Sequence, residues 1–224
     1  MAAPSFASIA PKLSGSSSGT AAVPIPTGVV AGSFVMVYMF EDPNNAVTPS
    51  SGFAEAPGSP VTNSSLSKPH RLHIFWKRAA GTELDTDTYP FTVNTTGLDW
   101  RQAWAVRYTG VITSGNPFDF TTTNTADSGP SPMPSVSGTT LGADRLLINA
   151  SSTYDGRIIT SPSGFTQRTT ADVVEVSDKV QTTGGATGSI NGTFAGSNTS
   201  STVWLAALKP VGAVTNTAQF FTVL

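Results

Sequence analysis

The sequence predicts an all-β fold: a two-sheet, jelly-roll-like β-sandwich built from two internal four-strand repeats. Three observations predict it. The apolar runs are short, rich in β-branched and aromatic residues, and bounded by Gly, Pro or Asn, which is the strand signature, while helical periodicity is hard to find. Only 12% of the 224 residues are charged, and 21 Gly and 16 Pro stand among abundant Ser and Thr, as in a chain of short strands and many turns. The chain also says one thing twice. "VTPSSGFAEA" from Val47 and "IITSPSGFTQRT" from Ile158 each place Pro, Ser, Gly and Phe beside an apolar run.

Taken in order, residues 5–10 make a weak first strand and 11–24 (PKLSGSSSGTAAVP) read as a flexible arm, so 1–27 form an N-terminal strand and arm. In 33–41 (SFVMVYMFE), Phe34, Met36, Tyr38 and Phe40 alternate with Val35, Val37 and Met39. A strand apolar on both faces needs a cover on its outer side, from a loop, a terminal arm or another subunit. Residues 70–78 (HRLHIFWKR) put Leu72, Ile74 and Trp76 on one face and Arg71, His73, Phe75 and Lys77 on the other. Strands at 88–94 (TYPFTVN) and 100–109 (WRQAWAVRYT) complete the first series. Weak strands at 118–123 and 134–138 precede the second, which comprises 145–152 (RLLINASS), 172–180 (DVVEVSDKV), 188–195 (GSINGTFA) and 201–209 (STVWLAALK).

Laid side by side, the two series match with a period of roughly 100 residues, far too long for a solenoid unit. "GSFVMVYMF" then "TPSSGF" matches "ADRLLINASS" then "SPSGF". Lys77 and Lys179 each end a strand before a Gly-bearing turn and a strand carrying Phe91 or Phe194. "WAVRYTGV" from Trp104 matches "WLAALKPV" from Trp204. Two four-strand units that cannot bury their apolar faces alone fold most simply into one sandwich over 28–210, with repeat one at about 28–111 and repeat two at about 134–210. The linking stretch 111–135 carries Phe118 and Phe120, which should pack on something. The repeated Pro–Gly–Phe is a structural device: Pro and Gly set the turn and the Phe plugs the core.

Chemistry is harder to find. With no Cys there is no disulfide frame, thiolate metal site or Cys nucleophile. A net charge of −2 gives no nucleic-acid footprint, and no apolar run is long enough to span a membrane. The opening "MAAPSFASIAPKLSG" lacks a basic segment followed by an apolar one, so no secretory leader is expected. His70 and His73, three apart in a strand, point to opposite faces and cannot share a metal; edge or solvent-facing positions are expected for them. "ELDTD" (Glu83, Asp85, Asp87) resembles the alternating acids of jelly-roll glucanases. Its third acid is Asp, however, and it falls in a turn whose repeat counterpart is the acid-free "TTGGATG", so a solvated acidic hairpin is expected. "EDPNN" (Glu41, Asp42, Asn44, Asn45) lacks the EF-hand spacing and reads as a turn. No catalytic residue, metal ligand or cofactor is therefore expected.

Trp104 and Trp204, at equivalent repeat positions, are expected in the core, with Trp76 and Trp100 facing it. After the last strand, residues 211–224 form an apolar tail ending in Phe220, Phe221, Val223 and Leu224, which should dock either on its own sandwich or on a neighbouring molecule and is expected to bind a partner in assembly.

The series "PTGVVAGSFVMVY", "TPSSGF", "FWKRAAG", "WRQAWAVRYTGV", "ADRLLI", "SPSGFTQR" and "WLAALKP", spread over about residues 5–210, resembles accessory virion proteins (minor tail or head-decoration proteins) of tailed bacteriophages, especially those of actinobacteria. The resemblance implies a non-catalytic β-sandwich, made in the host cytoplasm, that assembles onto a virion. Its partners would be tail or major capsid proteins and further copies of itself, with a host-surface glycan as an additional one. A carbohydrate-binding adhesion module on a tail tip or cell surface is the alternative from another class.

Overall fold

A computed structural model describes residues 2–16, 19–43, 45–64, 69–94, 100–129, 131–154, 156–170, 172–196 and 199–212. Among these the chain forms 19 strands and no helix, arranged in several antiparallel sheets with no closed barrel. The first main sheet runs β1 (Ser5–Ile9), β10 (Trp100–Thr109), β4 (Phe34–Asp42), β8 (His70–Arg78), β6 (Ala54–Glu55), with β2 (Leu13–Ser16) also on β10 and β7 (Val61–Asn63) also on β8. The second runs β11 (Phe118–Gly129), β19 (Thr199–Leu208), β13 (Arg145–Thr153), β16 (Val174–Gln181), β15 (Thr166–Gln167). Three small sheets complete the fold: β3 (Gly19–Pro24), β9 (Thr88–Asn94) and β5 (Ala46–Thr48); β12 (Thr139–Thr140) with β17 (Gly185–Ala186); and β14 (Ile159–Thr160) with β18 (Thr193–Phe194).

Strand alternation sorts the core into layers. Phe34, Met36, Tyr38 and Phe40 of β4 meet Leu146, Ile148 and Ala150 of β13 in an inner core shared by the two main sheets. The opposite face of β4, with Val35, Val37 and Met39, packs under Ala21, Val23, Phe91 and Val93 of the first outer sheet. Behind the second main sheet, Leu147, Val203 and Leu205 pack against Met133, Val136, Ile159, Ile190 and Phe194. The molecule is thus a stack with outer layers on both main sheets, where two sheets alone were expected. The same layers explain why β4 is apolar on both faces.

Most long strands lie where the alternation places them, and 70–78, 88–94 and 100–109 coincide with β8, β9 and β10. Three expectations need correction. The supposed arm at 11–24 holds β2 and β3, hydrogen-bonded to β10 and β9, with Ala21 and Val23 buried. The strand expected at 188–195 shrinks to Thr193–Phe194, because Gly188 and Gly192 interrupt the ladder. Residues 134–138 contribute a single bridge, Val136 to Ile190.

Along β1-β10-β4-β8-β6 and β11-β19-β13-β16-β15 the two main sheets share a strand order and several register positions, while β2 and β7 belong to the first alone. Trp104 stands opposite Tyr38 and Trp204 opposite Ala150; Tyr38 stands opposite Ile74 and Ala150 opposite Val176. Both edge strands carry a bulge at the same place, between Phe6 and Ser8 and between Phe118 and Phe120. The Gly–Phe turns also match. Phe53 N donates to Ser50 O (3.1 Å) and Phe165 N to Pro162 O (3.0 Å). Gly52 and Gly164 have φ of +80° and +79°, as the third position of a type II turn requires. Phe53 enters the outer core of the first half and Phe165 packs against that of the second.

At one end of the stack, β10 and β19 run on and meet over the inner core. Val111 bridges Pro210, Val211 N donates to Gly110 O (2.8 Å) and Ile112 N to Lys209 O (3.0 Å). At the other end Val174 N reaches Gln102 Oε1 (3.3 Å), and the His70 ring lies 6.2 Å from that of Tyr154.

Candidate functional site

The acids singled out in the sequence hold the fold together. Glu83 lies in the turn between β8 and β9, half-buried, with its carboxylate engaged by the chain itself. Oε1 pairs with Lys77 Nζ at 2.7 Å, and the carboxylate accepts from Gly81 N (2.8 Å) and Ala80 N (3.3 Å). Burial would raise its pKa, but Lys77 and these N–H groups prevail and hold it at about 2. Asp85 accepts from Gly28 N (2.9 Å), and Asp87 from Leu84 N (3.3 Å). Elsewhere Asp119 pairs with Arg145 (3.0 Å) and Asp178 takes Arg168 in a two-pronged contact (2.7 and 2.8 Å). In "EDPNN", Glu41 and Asp42 belong to β4, with Glu41 standing in register between Arg71 and Arg101. Asn44 lies outside the described residues.

Both His residues point to opposite faces, as their spacing requires, but neither is exposed. His70 stacks on Phe40 in the inner core (5.4 Å). His73, on the outer face, stacks on Phe75 and reaches Glu55 Oε1 through Nδ1 and Asn45 O through Nε2, both at 3.2 Å. Neighbouring aromatic and carboxylate groups make burial affordable, and single-sequence alternation could not reveal them. Glu175 occupies the register position in β16 that His73 holds in β8. Burial pushes its carboxyl above the ordinary range, against hydrogen bonds from Ser161 Oγ (2.6 Å) and Asn149 Nδ2 (3.0 Å). Among the described residues no three of His, Asp and Glu group as a metal site would need.

Two clefts open at matching places on the outer layers, each between a Gly–Phe turn and the lysine near the end of β8 or β16. The first, of 450 Å³, is lined by Gly52, Lys77, Glu83 and Tyr89. Its ammonium is enclosed: Glu83 is bound to it, and the Phe53 and Tyr89 rings lie 5.1 and 4.9 Å away. The second, of 710 Å³, is lined by Ser163, Phe165, Lys179, Thr183, Ser189 and Asn191 among others. No signal in the sequence marked it, because Ser and Thr are common everywhere in this chain.

A third feature is apolar. Val30, Leu84, Leu141, Val180 and Val211 are five of the six exposed large hydrophobics among the described residues, and Leu141 is 82% exposed. All five lie at the end where β4 and β13 begin and where β10 and β19 meet. The tail residues Phe220, Phe221, Val223 and Leu224 lie outside the described residues; the described chain reaches Gly212 at this same end. Trp104 and Trp204 are in the inner core as expected, and Trp76 and Trp100 are half-buried against it. Comparison with protein-family models, with curated proteins and with solved structures finds no match for the chain.

Proposed function

We propose that the protein is a non-catalytic virion structural component that attaches to, and decorates or stabilises, a phage tail or capsid. The observation that carries this reading is the gathering of exposed Val30, Leu84, Leu141, Val180 and Val211 at one end of the stack. Single exposed apolar residues are ordinary on a soluble surface, but five of the six among the described residues falling at the same end of the stack favour that end as the contact surface. The acids support the same reading, being engaged in turns and ion pairs that hold the scaffold. The shared strand order, edge bulge and Gly–Phe turn support a duplicated jelly-roll-like unit as the scaffold. Partners would be tail or capsid proteins and further copies of the chain, with the apolar tail from Phe220 to Leu224 adding to the contact.

The test is a chain carrying Val30→Glu, Leu141→Glu and Val211→Glu together. Exposed sites tolerate such changes within about 0.5 kcal/mol each, so the melt should barely move. Purified phage particles should then carry little or none of the variant; full incorporation would overturn the reading. The polar second cleft favours a second reading, a carbohydrate-binding adhesion module.

A further inference from the structure

The two clefts differ in a way that assigns a ligand class to the second. Lys77 and Lys179 hold the same register position, opposite Val35 and Leu147. In the first cleft the chain supplies the ammonium with its own carboxylate, Glu83, and covers it with Tyr89. The second half has neither. Its turn reads "TTGGATG" over 182–188, without an acid. Tyr89 stands two residues before Phe91, whereas two residues before Phe194 stands Gly192. The second cleft, without that ring and acid, is also the larger, 710 against 450 Å³. Lys179 is exposed and makes no ion pair or hydrogen bond with the described residues. Its Nζ lies over Gly164, so close that a Cβ there would be 3.3 Å away.

We infer that this cleft binds an acidic saccharide, whose carboxylate takes on Lys179 the place that Glu83 takes on Lys77. The surrounding groups match the rest of such a ligand. Ser163, Thr183, Ser189 and Asn191 line the cleft with side chains that make no hydrogen bond within the described chain. Phe165 is half-buried beside them and offers an apolar surface to a sugar ring. A short peptide carboxylate would use the lysine and leave these hydroxyl and amide groups without partners. The inference specifies the ligand of the adhesion reading and is independent of attachment through the apolar end.

The test is calorimetric titration of the full chain with oligogalacturonate, hyaluronate oligomer and sialyllactose, with fully methyl-esterified oligogalacturonate and acetate as controls. At least one acidic saccharide should bind. Its binding should weaken about tenfold or more in Lys179→Gln, with an unchanged melt, and Asn191→Ala should weaken it too. If oligogalacturonate is that ligand, its methyl ester should lose binding to a similar degree. No binding of any of the three would overturn the inference, as would full binding by Lys179→Gln. Equal binding of ester and acid would leave a neutral adhesion site and remove the carboxylate claim. Acetate competing as well as the saccharide would show a simple anion site and overturn the saccharide claim.

Discussion

At the scale of single residues, the Lys77–Glu83 pair shows how a turn acid can be structural. Glu83 closes its own turn by accepting from Gly81 and Ala80, and it neutralises an ammonium held between Phe53 and Tyr89. Removing either partner leaves the other charge half-buried without its counter-ion, which is destabilising. Because the folded pKa is lowered from 4.5 to about 2, the folded state binds fewer protons than the unfolded one in that window. The pair's contribution is therefore complete above about pH 4.5 and is lost as pH falls towards about 2. In Glu83→Gln this part of the acid sensitivity should be gone. The stability gap between wild type and variant, followed by urea melts, should be widest above pH 4.5 and close towards about 2. A gap of constant size would show that the carboxylate is not held ionised by the fold. Asp172 and Glu55 also have lowered pKa values, so the comparison with the variant is needed to isolate Glu83.

At the scale of elements, the first outer sheet depends on a segment that looks like a linker. Gly19–Pro24 is Gly- and Ala-rich, with no run of β-branched or aromatic residues, so composition marks it as flexible. Its strand character comes from partners far along the chain: Ala21 opposite Phe91 and Val23 opposite Tyr89. Val23 is fully buried over the outer face of β4. Val23→Asp should therefore destabilise by on the order of 3–5 kcal/mol, through lost burial of about 1.5–3 kcal/mol and an unpaired charge in an apolar layer. Thermal or urea melts measure it, and an unchanged melt would restore the flexible arm. The same contrast sets what the sequence reveals. Strong local alternation made β8, β9 and β10 legible to the residue, and the Gly–Phe turns were legible because turn chemistry is local. The short outer strands β12, β14, β17 and β18 have two residues each, too few for any periodicity to register. The second cleft was hidden for a related reason. Its meaning lies in what stands opposite Lys179 in space, and only the comparison with Glu83 and Tyr89 makes that visible.

At the scale of the molecule, the inner core decides whether the two halves behave as one body. Each main sheet alone would expose a continuous apolar face: Phe34, Met36, Tyr38, Trp104 and Tyr108 on one side, Leu146, Ile148, Val176, Trp204 and Leu208 on the other. Polar contacts tie the halves together too. Trp204 Nε1 donates to Pro57 O (3.0 Å), Lys12 pairs with Asp172 (2.5 Å), and Asn63 Nδ2 donates to Ser201 O (3.4 Å). Neither half can lose this interface without exposing it to water, so the chain should unfold in a single cooperative transition. Trp104→Ala and Trp204→Ala, one in each half, should each cost ~3–5 kcal/mol, the range for truncating a large buried aromatic. Each should also move the whole transition, because the cavity opens in a core that both sheets share. Far-ultraviolet circular dichroism and tryptophan fluorescence, followed through the same urea titration, should report one midpoint in wild type and in both variants. Two midpoints, with Trp104→Ala shifting one and Trp204→Ala the other, would show that the halves are separate bodies resting against each other.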